Sequence, residues 1–509
     1  MKSKSLFDKT LIILLLTIGI SAAKAIGPSN PNATPEARAL LDLFYRISGR
    51  YTLTGQHNYP NTRDHNTLFA AEYIGQTPAI WSTDMGFAKA GDYDSYLARA
   101  DIVREAIRQH NKGSIITICW HAVPPTADEP VTFQPQGKVA PDSLASVQGK
   151  LLDEQFRDVL TPGTRLYKRW AAQVDSVAVY LKKLQDAHVP VLWRPYHEMN
   201  GDWFWWGGRV GEYSTADLYR QIYDRLVNYH KLNNLVWVWS VDRPSTPIRK
   251  FSNFYPGNDY LDILALDVYG SDFNQAYYDS LMALSKGKPV VLGEVGNPPT
   301  PDVLEKQPNW AYWVIWAGMV RNLSKKQHQL LVNDPRILSQ EDPAYQDVMA
   351  PFRQACGLPL LPLKSKYPVN FSGEWIFNED ISDIGNGGTA NIPYQMVIHH
   401  DNDKLYVKRF IIVEWGPDTV TGEDLYLDGT GTKSEFLNSP RYTTASWDDN
   451  SKSVKINNTV RFNRGGRTFD MNSSEEWSME NGGKTLQIIQ TSTGFRGGEN
   501  RTSLIYEKK

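Results

Sequence analysis

Residues 193–208 read WRPYHEMNGDWFWWGG, which sets His197 and Glu198 in a dense run of aromatic rings. A carboxyl group surrounded by rings is poorly solvated, and loss of water favours its neutral, proton-donating form. A second carboxylate, Glu294, lies further along in VVLGEVG. Breaking a glycosidic bond needs such a pair: an acid to protonate the leaving oxygen and a carboxylate to meet the developing oxocarbenium centre. The rings suit the same chemistry, because flat apolar faces with polar edges are what a sugar ring packs against. Alternation along WFWW lets only some of Trp203, Phe204, Trp205 and Trp206 face a cleft. Trp203, just past Glu198, is the leading platform, and each of the others either faces the cleft or packs beneath the loop.

These residues need a scaffold that gathers them. Strand-like runs start at Tyr51 (YTLTGQ), Pro78 (PAIWST), Ser114 (SIITICWH) and Val189 (VPVLWRPYHE). Others start at Asn234 (NLVWVWSVD), Leu261 (LDILALDVYG), Pro289 (PVVLGEVG) and Ala311 (AYWVIWAG). Between them lie amphipathic stretches such as LYKRWAAQVDSVAVYLKKLQDA, with apolar residues three and four apart. Near-continuous apolar strands alternating with helices predict a parallel sheet covered on both faces. Eight of them predict a (β/α)8 TIM barrel, an α/β fold. No Gly-rich phosphate loop follows any strand, which disfavours dinucleotide binding.

Active sites of this fold lie at the C-terminal strand ends. His121 ends the third strand, His197 and Glu198 the fourth, Asp267 and Tyr269 the sixth and Glu294 the seventh, so all point at one mouth. Strands four and seven stand across the barrel, which sets Glu198 and Glu294 face to face over a bound substrate. Desolvation and the opposing negative charge are expected to keep Glu198 protonated. Gly293 and Gly296 are expected to leave open space around Glu294, as a nucleophile reaching an anomeric carbon requires. Arg194 shares its strand face with Glu198 and sits deeper. It either steadies the carboxylates or satisfies a buried charge.

Together with ITICWH, NLVWVWS, LDVYG and VVLGEVG, the strand-four block resembles glycoside hydrolase family 26, chiefly its β-mannanases, over roughly residues 35–355. The resemblance implies a retaining enzyme that uses no metal or other cofactor, with Glu198 as acid/base and Glu294 as nucleophile. It also implies that His197 contacts the sugar in the cleavage subsite and that Tyr269 hydrogen-bonds the nucleophile. His121, Trp203, Asp267 and a strand-eight tryptophan look like lining of that subsite and its neighbours. Of Trp310, Trp313 and Trp316, only Trp316 lies at the C-terminal end. The implied substrate is β-1,4-mannan, galactomannan or glucomannan; β-1,3-xylan and mixed-linkage β-glucan are alternatives within the family. Endo or exo attack depends on residues 122–164, a long connection that includes Pro124, Pro125, Pro130 and Pro135.

Two other classes of function compete. A non-catalytic glycan-binding protein would not need both glutamates. A metal-dependent hydrolase built on His57, Asp84 and His121 lacks any H-x-H or H-E-x-x-H cluster.

The remainder of the chain sets the context. Its 509 residues carry a net charge of −2 with no basic block, so neither nucleic acid nor an anionic membrane is an expected partner, and a monomer is expected. Residues 1–25 read as a signal peptide. Lys2, Lys4 and Lys9 precede LIILLLTIGI, and small residues at Ala23 and Ala25 mark cleavage. That run is too short to span a bilayer, so a secreted or periplasmic protein is expected. The barrel is expected over 26–356, and GLPLLPLKSKYP reads as a linker over 357–368. From 369 to 509 the period becomes two, in runs such as KLYVKRFII, SVKINNTVRF and TLQIIQT. An all-β antiparallel barrel or sandwich is expected there. FSGEW, GGKTL and YEKK give it a slight resemblance to small lipocalin-like barrels. Its tryptophans Trp375, Trp415, Trp447 and Trp477 are expected mostly to fill the core. Cys119 and Cys356 fall at opposite ends of the first barrel, too far apart for a disulfide.

Overall fold

A computed structural model describes residues 26–509 apart from 138–139, 362–368, 386–387, 390, 402–403, 415, 437–438, 449–451, 465–466 and 494–498. The signal peptide, most of the linker and Trp415 therefore lie outside the described residues. The chain divides into two compact units, Met1–Leu361 and Pro362–Lys509.

The first unit is a closed barrel of eight parallel strands. They are β1 (Gly55–Asn58), β2 (Ile80–Asp84), β3 (Ile115–Trp120), β4 (Val191–Pro195), β5 (Leu235–Asp242), β6 (Ile263–Val268), β7 (Val290–Val295) and β8 (Trp310–Ile315). Each pairs with the next, and β8 closes onto β1. Every residue of these strands is buried, which is why most of them read as near-continuous apolar runs, although β1 is the polar GQHN. One face meets the helices. In Arg165–Asp186, Leu166, Trp170, Val174, Val177, Leu181 and Leu184 recur at three and four and are buried with Trp193 and Trp237 of the strands. Thr164 caps that helix, its hydroxyl accepting from the Tyr167 amide.

The other face fills the lumen. Ile80, Ile115, Leu192, Val238, Ile263 and Val291 pack there with residues of helix Pro35–Ile47. Moving up a strand, inward residues turn from apolar to titratable: Ile115, Thr117, Cys119, then His121; Ile263, Ala265, then Asp267; Leu192, then Arg194. The apolar half holds the barrel together and the polar half is left for chemistry.

The register between β6 and β7 slips at Leu266/Asp267, so Asp267 stands opposite Glu294 and Gly293 is the extra residue. Bulges of this kind re-aim side chains beside active sites. The connection after β3 is less irregular than its sequence suggests, because helix Asp153–Leu160 forms within 122–164. Cys119 is buried in the lumen and Cys356 follows helix Pro343–Ala355; both are free thiols. No helix among the described residues is long and apolar enough to cross a membrane.

The second unit is a single sheet of ten antiparallel strands, from Gly373–Phe377 to Glu499–Lys508. Among the described residues, neighbours in sequence pair at every step but one, and the first strand pairs with the last. The one step without ladder pairing lies between Thr419–Tyr426 and Thr432–Phe436, which makes a nearly closed barrel rather than a sandwich. Trp375 and Trp477 are fully buried in its core, and Trp447 packs against them partly buried.

Candidate active site

The site occupies the C-terminal mouth of the first barrel. The chain leaves β4 through two residues in left-handed conformation, Tyr196 at φ 50° and Glu198 at φ 52°. For non-glycine residues this is strained, and strain persists only where the surroundings over-determine it. Here buried rings do so. Trp170 Nε1–H donates to Tyr196 Oη at 2.8 Å, Trp206 Nε1–H to the His197 carbonyl at 2.9 Å and Trp205 Nε1–H to the Ala122 carbonyl at 2.7 Å. The strained turn projects Glu198 over the lumen.

Glu198 and Glu294 then face each other. One carboxylate oxygen from each of Glu198, Asp267 and Glu294 lies within 4.8 Å of the other two. Their surroundings differ. Glu294 is held by Arg194, whose Nη2 donates to Oε1 at 2.5 Å, and by Tyr269, whose hydroxyl donates to Oε2 at 2.6 Å. Both carboxylate oxygens of Glu294 are thus held as acceptors, one by a charged donor. Glu198 has a single side-chain donor in this set, Trp203 Nε1–H to Oε2 at 2.7 Å. Burial and the charge of Glu294 push its pKa well above the usual carboxylate range. Three carboxylates and one guanidinium sum to −2 if all ionise, and protonating Glu198 halves that excess.

Arg194 resolves the choice left open by sequence in favour of both uses. Its Nη1 donates to Asp267 Oδ2 at 2.9 Å while Nη2 holds Glu294. Burial pulls its pKa down, but the Asp267 and Glu294 charges outweigh this and keep it charged. The guanidinium is thus a fixed cation beneath the pair.

Two expectations need correction. Asp267 has no exposed surface; it accepts from Arg194 and Ser240 and so supports the site through those bonds rather than lining the cleft. Gly293 and Gly296 do not leave open space. A Cβ at 293 would meet Asp267 Oδ1 at 2.6 Å, and one at 296 would meet the Gly270 nitrogen at 3.2 Å. The glycine at 293 lets Asp267 and Arg194 press against the β7 backbone.

The remaining candidates surround the pair. His197 is buried with Nε2 3.7 Å from Glu294 Oε1, and burial drives its pKa well down, so it is a neutral imidazole. His121 packs edge-on to it at 4.3 Å and bonds Asp84 Oδ2 through Nδ1 at 2.8 Å. Burial alone would lower the His121 pKa, but the Asp84 charge outweighs it and raises the value. Trp203 is partly exposed, with Arg249 over its ring at 5.3 Å; its indole lies so close to Gly201 that a Cβ there would sit 2.4 Å from the ring. Trp316 is partly exposed and stacks on His57 at 3.7 Å, whereas Trp310 and Trp313 are buried in the core.

The imagined metal set does not assemble as written. His57 bonds Ser82 and stacks on Trp316, and burial lowers its pKa to about 3. Asp84, Cys119 and His121 are close enough to share an ion, but Asp84 already accepts from Gly86, Cys119 and both the backbone and ring nitrogens of His121. The Glu198, Asp267 and Glu294 group already has its cation in Arg194.

Three contributors were not singled out from sequence. Phe133, on the connection after β3, is 40% exposed with its ring 5.7 Å from His121 and 6.2 Å from Phe204. The same connection ties down the platform segment, for Gly149 N–H donates to the Trp203 carbonyl at 2.8 Å and Trp205 N–H to the Val147 carbonyl at 3.3 Å. Asp242 ends β5 beside Glu198, and its charge helps raise the Glu198 pKa. The rule that found the other carboxylates at strand ends would have found Asp242.

The Glycosyl hydrolase family 26 model matches residues 29–342. A mannan endo-1,4-beta-mannosidase from Thermothelomyces thermophilus is 34% identical over 310 residues, which is 58% of each chain, so this chain spans little more than half of that curated relative. Among solved structures, GH26A from a Muricauda species is 42% identical with a TM-score of 0.56, covering 61% of this chain and 98% of that one. A GH26-CBM35 beta-(1,4)-mannanase from Podospora anserina is 28% identical with a TM-score of 0.53, over 64% of this chain and 69% of that one.

Proposed function

The chain belongs to glycosyl hydrolase family 26, and from that premise we propose that it is an exported retaining β-mannanase that hydrolyses β-1,4-mannosidic bonds. The observation that carries the reading is the pair of glutamates, near enough to act on one sugar and oppositely prepared. Carboxyl groups about 5–5.5 Å apart suit retention, whereas inverting enzymes separate them by about 6.5–9.5 Å to admit water. Oxygens within 4.8 Å support the first arrangement.

In the first step Glu294 attacks the anomeric carbon as Glu198 passes its proton to the glycosidic oxygen. The glycosidic C–O bond breaks, its electron pair leaves with the protonated oxygen, and a glycosyl ester forms on Glu294. Arg194 and Tyr269 stabilise the carboxylate before attack and again as it is released. In the second step Glu198, now ionised, takes a proton from water as that water attacks the same carbon, and the ester bond breaks. Glu198 ends protonated and the product keeps its β configuration. The neutral His197 beside Glu294 supplies hydrogen-bonding capacity without adding a charge that would oppose the developing oxocarbenium.

The named activity of the curated relatives supports mannan as substrate, and the N-terminal signal read from sequence supports export. Proton NMR of the first product tests the mechanism: β-mannose at the new reducing end is expected, and the α anomer appearing first would overturn it. Parallel digestion of mannan, galactomannan, lichenan and β-1,3-xylan tests the substrate. Faster cleavage of lichenan than of mannan would overturn that part alone.

A further inference from the structure

A second concave surface lies outside the barrel wall, sharing no residue with the cleft. It is a groove of ≈ 670 Å³ between helix Arg165–Asp186 and the helix that starts at Thr215, a volume within the range of ligand sites. Two exposed rings flank it, Tyr213 at 38% and Tyr229 at 66%. Tyr167, packed on the buried Trp170 at 5.5 Å, contributes to the floor. Isolated exposed rings are ordinary, but rings converging on one groove are a binding pattern.

The helix itself is irregular there. After Tyr223 it widens into a π-helix over Asp224–Tyr229, a rare conformation that recurs at functional sites. The widened turn contains three of the groove's lining residues, Asp224, Arg225 and Tyr229. Arg225 is fixed by two bonds to Asp175, of 2.7 and 2.6 Å, and its guanidinium lies over Tyr229 at 4.7 Å. The ring of Tyr229 is therefore held in place although most of it faces solvent, an arrangement that prepares a flat surface in advance.

Charge narrows the ligand. Arg225 is paired with Asp175 and Arg220 with Asp217, so neither cation is free for an anion. What remains are ring faces, tyrosine hydroxyls and carboxylate acceptors such as Glu212, which match an uncharged molecule with apolar faces and many hydroxyls. From Asp217 to Tyr223 the α-helical part rises about 9 Å at about 1.5 Å per residue, and the widened turn to Tyr229 extends it further, long enough for more than one sugar ring. We infer that this groove is a second carbohydrate-binding site, taking a strand of neutral β-linked polysaccharide outside the catalytic cleft. It rests on the proposed function only for the ligand class.

The test uses the full chain carrying E294A and W316A, which removes hydrolysis and weakens the cleft, in native gels containing soluble galactomannan or lichenan. Adding Y213A and Y229A is expected to weaken retardation roughly tenfold, a factor that corresponds to about 1.4 kcal/mol. Y229F, which keeps the ring, is expected to retain it. In the otherwise unaltered enzyme, Y213A/Y229A should leave hydrolysis of a short mannooligosaccharide unchanged. Equal retardation with and without the two tyrosines overturns the inference, as does unchanged retardation accompanied by an altered oligomeric mass, which would make the groove a protein contact. Should the enzyme cleave lichenan instead of mannan, the proposed substrate fails, while tyrosine-dependent retardation by lichenan would still support the groove.

Discussion

Replacing Trp203 by phenylalanine separates its two jobs, because a phenyl ring keeps a flat face but cannot donate to Glu198. The lost bond, from Nε1–H to Oε2 at 2.7 Å, acts on the ionised form of Glu198 and lowers its pKa against burial and the Glu294 charge. A hydrogen bond to a charged group is worth about 1.5–3 kcal/mol, and 1.36 kcal/mol corresponds to about one pKa unit. Because Trp203 is partly exposed, water replaces part of that bond, and a rise of about one unit is expected. Glu198 must be protonated to act as acid, so the alkaline limb of kcat/KM should move to higher pH by about that amount. The plateau should fall as the platform shrinks. Initial rates on soluble galactomannan across the pH range measure both. A limb that stays put, or moves to lower pH, would refute the claim that this indole governs the acid.

Three further outcomes follow from the same geometry. E198Q should melt above the parent at neutral and alkaline pH and converge with it near pH 4. The folded pKa lies above the unfolded value of about 4.3, so the native state binds more protons in that window and loses stability as pH rises; the gap should grow by about 1.4 kcal/mol per unit of raised pKa. Parallel melting curves would count against a raised pKa. G293A should cost about 1–3 kcal/mol in chemical denaturation and depress kcat more than KM, because its Cβ would meet Asp267 Oδ1 at 2.6 Å; an unchanged midpoint with full activity is the contrary result. A chain ending after Leu361 should fold and keep its kcat/KM on soluble oligosaccharide, since the first unit is compact by itself; aggregation or loss of turnover would make the second unit structural.

The barrel was legible because most of its strands are buried on both faces and so appear as near-continuous apolar runs; the first, GQHN, is polar and was located only by the YTLTGQ run that leads into it. Once the barrel was assumed, the strand-end rule brought His121, Glu198, Asp267 and Glu294 to one mouth without any motif. What it could not supply was register. Asp267 and Glu294 both end strands, yet the slip at Leu266/Asp267 sets them side by side with Gly293 as the extra residue, and although a lone glycine in a strand can mark a bulge, VVLGEVG does not say which neighbour it brings into contact. The same blindness made Gly293 look like clearance when it is a point of contact. Phe133 was invisible for a different reason: it belongs to the connection after β3, whose path is set by a bridge within itself, Thr132 with Ser146, and by one to the segment after β4, Gln148 with Phe204.

That connection has an implication for anyone who would recombine this barrel with its relatives. Loops over a barrel mouth are usually treated as interchangeable parts that alter what a catalyst accepts while sparing how it works. Here the strand-three excursion is bonded to the Trp203 carbonyl, and Trp203 in turn is bonded to Glu198. Exchanging residues 122–152 for those of another enzyme would therefore retune the acid along with the cleft. Selectivity and pH response are inherited together in this protein.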